Sequence, residues 1–394
     1  MDHQKKPELL PTRPLFSSGP CPKRPGWSVE NIVNTALLGR SHRSQGPRDQ
    51  IKKVINLSRK ILGIPQDYKI GIVPASDTGA FEMSLWSMLG IRPVDILAWE
   101  SFGLGWADDV VQQLKLKDVR IIRADYGNLP DLGVVDSKSD ICFTWNGTTS
   151  GVRVPNLDWI ASDRDGLVFC DATSAVFSHD IVWDKLDVTT FSWQKTMGGE
   201  GAHGMLILSP RAVHRLETYN PNRPLPKIFR LTKNGKLLDE IFSGKTINTP
   251  SMLCVADALD ALHWIEHLGG VAGTIKRTRQ NFELLQNWVN EQYWIENLAS
   301  NPEQRSNSSV CLKFVEKYFS EMEEVSQRKF VGAFVELLER EGAAFDIKSH
   351  RDAPPGLRIW CGATVELDDI RRLLPWLKWA YFRVSALEFK SHLI

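Results

Sequence analysis

The sequence predicts an α/β chain, with a large domain built on a mostly parallel seven-stranded sheet and a small C-terminal α+β domain after it. Two observations carry this expectation. Between residues 69 and 208, short apolar runs alternate with helical stretches, the pattern of strands joined by helical crossovers. After about Pro250 the alternation stops, and two long helical patterns are followed by widely spaced strands. Length agrees, since 394 residues make roughly two to three domains at about 150 residues each.

Each element has a local reason. A polar, Pro-rich arm, residues 1–27, comes first. Ser28 is placed to cap a short helix ending near Gly39. The next helix spans residues 47–63, with Pro at its first position, Gly at its end, and Ile51, Val54, Ile55, Ile61 and Leu62 at helical spacing. Strands are predicted at residues 69–73, 94–99, 119–123, 141–145, 167–171, 188–193 and 205–208. Long helices follow at 251–268 and 271–294, separated by Leu268-Gly269-Gly270. A polar stretch, 300–309, leads to a strand near 310–314, a helix near 329–341, a strand near 357–360 and a helix over 367–381. The expected boundaries are an arm over 1–27, a large domain over 28–268 and a small domain over 269–394.

Charge and composition exclude several classes. Lys plus Arg total 48 against 47 Asp plus Glu, so a net charge of +1 leaves no global field to gather nucleic acid or an anionic membrane. Any basic site is local. Hydrophobic residues at 42% and charged residues at 24% are ordinary globular usage. The six cysteines show no C-x-x-C pair and no metal-like spacing, and read as reduced thiols. The arm has no apolar leader core, and nowhere do 18 apolar residues run together. The expected location is the cytoplasm, where the sequons at Asn146 and Asn307 carry no glycosylation meaning.

The most informative stretch is Val168-Phe169-Cys170-Asp171-Ala172-Thr173-Ser174, followed by Phe191-Ser192-Trp193-Gln194-Lys195-Thr196-Met197-Gly198-Gly199. It places an Asp at one strand end and a Lys just beyond another, and in a parallel sheet such ends converge on one crevice. Pyridoxal phosphate needs this pairing: a Lys to form the Schiff base and a carboxylate to hold the pyridine nitrogen protonated. Alone, the Lys reads first as a solvated surface residue and the Asp as a helix cap.

In context the chain resembles the phosphoserine aminotransferases among the fold type I pyridoxal-phosphate enzymes, as a divergent branch. The resemblance runs from Phe16-Ser17-Ser18-Gly19-Pro20 through Ser41-His42-Arg43, Asp171, Gln194-Lys195 and Asn248-Thr249-Pro250 to His350-Arg351 and Arg358. It implies Lys195 as the Schiff-base lysine and proton shuttle, Asp171 at the pyridinium nitrogen, and Thr148 near the phenolic oxygen. It also implies Trp106 stacked on the ring, with Phe102 as rival. The cofactor phosphate is assigned to Ala75-Ser76-Asp77-Thr78-Gly79, a turn before a helix expected near Gly79, with the backbone and the hydroxyls of Ser76 and Thr78 as donors. An Asp77 carboxylate would repel phosphate unless turned away. Gln194 is implied at the same phosphate, with Asn248 and Thr249 reaching it from a partner subunit of a homodimer.

The family pattern further implies His42, Arg43, His350 and Arg351 for a substrate phosphate and Arg358 for the α-carboxylate; Ser17 and Ser18 border the carboxylate site or form a plain turn. Guanidinium forks suit both anions, and a cationic pocket accepts phosphate or the distal carboxylate of glutamate. The expected reaction interconverts 3-phosphohydroxypyruvate and glutamate with O-phospho-L-serine and 2-oxoglutarate, in serine biosynthesis; some members also serve pyridoxine synthesis.

Four other readings compete. His263-Trp264-Ile265-Glu266-His267 fits an H-x-x-E-H zinc motif, but no third ligand is evident and no metal is expected. Cys361 raises a cysteine desulfurase, although Trp360-Cys361-Gly362 ends a strand rather than a mobile loop. An alanine or serine glyoxylate aminotransferase, or a non-catalytic ligand-binding homologue, would share the fold; the paired Lys195 and Asp171 and the doubled His-Arg pairs argue against both.

Overall fold

The computed structural model describes residues 5–391, with side chains through residue 386. Its centre is a seven-stranded sheet of β1 (Lys69–Pro74), β2 (Val94–Ala98), β3 (Val119–Arg123), β4 (Asp140–Thr144), β5 (Val168–Asp171), β6 (Val188–Ser192) and β7 (His203–Leu208). The spatial order is β1-β7-β6-β5-β4-β2-β3. β7 runs antiparallel to both its neighbours, while the other pairs are parallel.

Side-chain alternation along the strands feeds two cores, one on each face. Ile141 and Phe143, Val168 and Cys170, and Met205 and Ile207 point to one face. There they meet helix α2 (Gln45–Leu62) through Ile51, Val54 and Ile55, and helix α6 (Met252–His267) through Val255, Leu262 and Ile265. Cys142, Phe169, Leu206 and Leu208 point the other way, against α3 (Ser76–Met88), α4 (Ser101–Asp108) and α5 (Pro210–Thr218). Gly63 in the left-handed region (φ 63°) ends α2, and the Ser251 side chain accepts the Cys254 N–H at the start of α6.

The C-terminal part has its own core. A three-stranded antiparallel sheet, β8 (Ile295–Asn297), β9 (Ser309–Phe314) and β10 (Leu357–Trp360), is covered by α7 (Val271–Asn290), α8 (Glu324–Arg340) and α9 (Leu367–Ser391). Trp294 stacks on Tyr381 with centroids 4.1 Å apart and planes 8° from parallel, and Phe314 packs edge-on against Phe330 and Phe334. The N-terminal arm joins this core through buried Phe16 and Cys21, and the Trp360 N–H donates to the Phe16 carbonyl at 2.9 Å. Among the described residues, no helix is long and apolar enough to cross a membrane.

Element boundaries differ from the sequence expectation at several points. The short first helix, α1 (Val29–Thr35), ends before Gly39, α7 ends at Asn290 rather than Trp294, and α8 begins at Glu324 rather than near Lys329. α3 begins at Ser76 rather than near Gly79, because Ala75 (φ 67°) and Ser76 (φ 55°) turn the chain directly off β1. Gly79 is then inside the helix for packing, since a Cβ there would lie 2.2 Å from the Pro74 carbonyl oxygen. β8 was not anticipated, as three residues show no readable alternation. α9 carries Pro375 inside it and runs past Tyr381 to Ser391, its apolar face buried along the small core.

Candidate active site

The parallel strands bring their C-terminal ends to one edge of the sheet, where Thr144, Asp171 and Thr190 lie in adjacent register. β6 ends at Ser192, and the next turn carries Gln194 and Lys195 over that edge; β1 ends at the Ser76-Asp77-Thr78 turn beside it. Thr144, Asp171, Gln194, Lys195 and the Ser76–Thr78 turn line a cavity of about 350 Å³, together with Trp106, Thr148, Thr173 and Gly19. The arm closes it from above: the Cys21 N–H donates to the Gln194 carbonyl at 2.8 Å, and the Lys195 Nζ donates to the Ser18 carbonyl.

Lys195 is buried. Burial pushes its ammonium below the usual lysine range, and the Arg358 charge adds to this, although Cys21, Asp171 and Glu100 act the other way. The site therefore favours a neutral, nucleophilic amine. Asp171 accepts the Trp106 indole N–H at 3.2 Å and the Thr173 backbone N–H at 3.0 Å. Asp77 is buried and turned toward Asp171, Thr190 and Thr173; burial and then the Asp171 charge hold its carboxyl well above the usual carboxylate range. Its carboxyl thus faces the sheet edge rather than the Ser76 turn, and burial disfavours its charged form.

The residues fit a polar, flat cofactor with a phosphate. Buried and without a hydrogen-bond partner are Thr144 Oγ1, Thr148 Oγ1, Thr173 Oγ1, Asp77 Oδ1 and Gln194 Oε1, all on residues that line the cavity. Such groups cost roughly 1–3 kcal/mol each when left unpaired, so they point to a ligand that satisfies them. The Ser76, Asp77 and Thr78 amides open α3, where first-turn N–H groups lack intrahelical acceptors and suit an anion. Two consecutive non-glycine residues at positive φ in that turn are strain of the kind stored at functional sites.

Other expected residues divide into two groups. Arg358 and His350 lie on the small-domain side: both influence Lys195 electrostatically, and Arg358 lines a neighbouring groove with Ser17, Gly19 and Pro20. The Arg358 Nε is buried without a partner. Burial, then Arg358, holds the His350 imidazole below the usual range. Arg351 is 88% exposed beside Asp352. His42 and Arg43 are not at Lys195; they line a separate cavity of about 360 Å³ with Arg48, Lys245 and Thr246. Asn248 and Thr249 are exposed close by in sequence, with the Thr246 Oγ1 donating to the Asn248 carbonyl at 2.6 Å.

Trp106 is 7% exposed and deep in the cavity, whereas Phe102 is 43% exposed at the mouth, 6.1 Å from the His350 ring. Sequence reasoning missed Glu100 and Thr149, which buttress this wall, and did not foresee the Ser18 carbonyl on Lys195. An acidic residue directly after an apolar strand, at Trp99-Glu100-Ser101, was the one signal available for Glu100. In the H-x-x-E-H segment, the His267 ring is bonded to the His263 carbonyl at 2.9 Å and Glu266 is paired with Lys60. Among the described residues, no three His, Cys, Asp or Glu side chains gather as a metal site. Cys361 is buried, and burial raises its thiol.

No family model matches the chain. Over 376 residues it is 57% identical to the phosphoserine aminotransferases of Methanosarcina barkeri and Methanosarcina mazei, covering 95% of this chain and 99% of each relative. A solved phosphoserine aminotransferase from Cytophaga hutchinsonii has a TM-score of 0.78 at 20% identity, over 94% of this chain and 99% of that one. A ureidoglycine-glyoxylate aminotransferase from Bacillus subtilis has a TM-score of 0.77 at 14% identity, over 96% and 95%. The fold is that of the fold type I pyridoxal-phosphate aminotransferases, and the cavity at its strand ends has the donor set such a cofactor needs. At 57% identity over nearly its whole length, the chain belongs to the phosphoserine aminotransferase family.

Proposed function

We propose that the chain catalyses the pyridoxal-phosphate-dependent exchange between 3-phosphohydroxypyruvate plus L-glutamate and O-phospho-L-serine plus 2-oxoglutarate, a step of serine biosynthesis. The observation that carries the reading is the meeting of Lys195, Asp171, Thr148 and Trp106 around one cavity whose buried polar atoms lack partners. Bound there, pyridoxal phosphate supplies an electron sink for the pair released when the substrate Cα loses its proton. Lys195 would be the covalent anchor, and its neutral amine would take the Cα proton and return it to the cofactor's C4′, two bonds away. Asp171 holds the ring-nitrogen proton, while Trp106 covers the ring and, through its N–H, fixes the Asp171 carboxylate. Thr148 meets the phenolic oxygen; the Ser76–Thr78 amides, the Thr78 hydroxyl and Gln194 take the cofactor phosphate. Arg358 forks onto the substrate α-carboxylate beside His350.

The remaining residues support a homodimer with shared sites. His42, Arg43, Asn248 and Thr249 lie away from Lys195, exposed or lining the second cavity, where a partner's site can use them. In that assembly His42 and Arg43 join His350 and Arg351 around the substrate phosphate, and Asn248 and Thr249 reach the cofactor phosphate. A domain division near residues 268/269 is supported by α6 packing on the sheet and the end of α7 on the small-domain core. Six free cysteines, five of them buried, suit a reducing cytoplasmic setting. Use of the related phosphorylated precursor in pyridoxine synthesis is compatible with the same cationic set.

An absorbance spectrum of the purified protein tests the reading. A visible band that bleaches with glutamate and returns with 3-phosphohydroxypyruvate is expected, and Lys195→Ala should abolish both the band and turnover. A colourless protein indifferent to added pyridoxal phosphate, or normal turnover in Lys195→Ala, would overturn it.

A further inference from the structure

Glu100 lies outside the set of groups that meet cofactor or substrate, yet it is buried between two walls of the site. It follows β2 and is the N-cap of α4, the helix that carries Phe102 and Trp106. One carboxylate oxygen, Oε1, accepts the Gly103 backbone N–H at 2.9 Å. The other, Oε2, accepts the Thr149 hydroxyl at 2.7 Å, directly after Thr148. Thr149 in turn lies 3.2 Å from the Ser101 hydroxyl, closing the link at its second end. The fit leaves little slack: a Cβ on Gly147 would lie 2.6 Å from the Ser150 Oγ, 2.7 Å from the Trp99 Nε1 and 2.9 Å from the Glu100 Cγ, so glycine precedes Thr148 there. Thr148 is itself held from the opposite side, its carbonyl accepting the Ser309 hydroxyl at 2.8 Å.

We propose that Glu100 is a positioning residue that ties the Trp106 helix to the Thr148-Thr149 turn, so that the ring-covering indole and the phenolic-oxygen donor keep one spacing across the cavity. The proposal rests on the aminotransferase reading of the site and adds to it a residue that touches neither cofactor nor substrate. Both bonds are charge-assisted while the carboxylate is ionised, and such bonds are roughly twice as strong as neutral ones. Burial pushes the carboxyl up to about 7, with the Asp171 charge adding to it and the Thr149 and Gly103 bonds opposing it. The titratable groups that face it are Asp171 at the end of β5, Lys195 on the turn after β6 and Cys311 on β9. The link therefore weakens as pH falls through neutrality, when the carboxyl takes up a proton.

Three variants test this, read by the dissociation constant of pyridoxal phosphate for the apoprotein between pH 6 and 8.5 and by kcat and KM of the holoenzyme. Glu100→Gln keeps the shape but not the charge. It is expected to bind the cofactor about three- to tenfold more weakly at pH 8 and to lose the inflection near pH 7. Thr149→Val leaves the charge in place but removes one bond. It should weaken binding by a similar factor and move the inflection upward, because the hydroxyl that lowered the Glu100 carboxyl is gone. Glu100→Ala should weaken binding more than either. If Thr149→Val binds like the wild type while Glu100→Gln does not, Glu100 acts only through its charge on Lys195 and the positioning role is wrong. Wild-type affinity in Glu100→Gln at pH 8 also overturns it. Far-UV circular dichroism and Tm separate a folding defect from the local effect, and turnover of the wild type reports independently on the reaction assignment.

Discussion

Replacing Arg358 with lysine keeps the positive charge and removes the fork. The Arg358 Nε is buried and unpartnered, so the native guanidinium has a donor in reserve for an anion on the cavity side. A carboxylate held at two points by Arg358 would be held at one by lysine. A hydrogen bond to a charged group contributes about 1.5–3 kcal/mol, and about 1.4 kcal/mol is a factor of ten, so kcat/KM should fall about 10- to 150-fold. Because every amino acid and oxo acid in the reaction carries the α-carboxylate, the loss must appear equally with glutamate and with 3-phosphohydroxypyruvate. Arg358→Ala should cost more and should also change Lys195. The Arg358 charge helps hold the Lys195 ammonium below its usual range; without it the lysine gives up its proton at higher pH. The pH midpoint for pyridoxal phosphate uptake by the apoprotein should therefore move up in Arg358→Ala and stay in place in Arg358→Lys. Steady-state kinetics with both substrates and stopped-flow uptake across pH measure these effects. A loss confined to the phosphorylated substrate, or a fall of less than about threefold in Arg358→Lys, would refute the carboxylate clamp. An unmoved midpoint in Arg358→Ala would refute the electrostatic coupling.

Two further outcomes follow from the geometry. Lys195→Ala and Arg43→Ala homodimers should each be nearly inactive, but mixing them at equal amounts after dissociation and reassociation should restore about a quarter of wild-type activity, since half the dimers are mixed and carry one intact site; no recovery would place Arg43 in its own subunit's site. Asp77→Asn should leave cofactor affinity within about threefold, because the side chain faces Asp171 rather than the phosphate turn, and a tenfold tightening would show that Asp77 had repelled the phosphate. Its stability should also change with pH. Burial raises the folded-state carboxyl above its unfolded value, so wild type is penalised progressively as pH rises above about 4, and Asp77→Asn should gain a few degrees in Tm at pH 8 and nothing near pH 4.

Much of this was legible in the chain before folding. Asp171 was readable because the apolar run Val168-Phe169-Cys170 leads straight into it, and Lys195 because it follows the end of β6 by three residues, so both fall at the C-terminal edge of the parallel strands. Trp106 was harder to assign, because Phe102 lies one helical turn away on the same short helix; burial and the bond to Asp171 separate them only in three dimensions. The start of α3 was misplaced because Ala75 and Ser76 adopt positive φ, a conformation that propensity reserves for Gly, Asn or Asp. β8 escaped notice because a three-residue edge strand is specified by pairing with β9 rather than by its own pattern. The Ser18 carbonyl on Lys195 was invisible in principle, since a main-chain acceptor brought 177 positions along the chain leaves no trace in side-chain chemistry.

Near-neutral net charge conceals a polarised cavity. Its floor, at the strand ends of the large domain, is acidic: Asp171 with Asp77 beside it and Glu100 behind. Its rim, toward the small domain, is basic: Arg358 and His350, with Lys195 between the two sides. The carboxyls on the floor are tolerable because two are pushed toward neutrality by burial, and Asp171 is met by the Trp106 and Thr173 N–H groups. The rim cations depress one another, His350 and Lys195 both being lowered by Arg358. Each half thus gathers like charges that burial makes mutually unfavourable. A protonated ring nitrogen of the cofactor at the floor and a substrate carboxylate or phosphate at the rim relieve the two halves together, and groups of the opposite polarity relieve neither. Selectivity for an anionic amino acid over a neutral one follows from this opposition more than from any single contact.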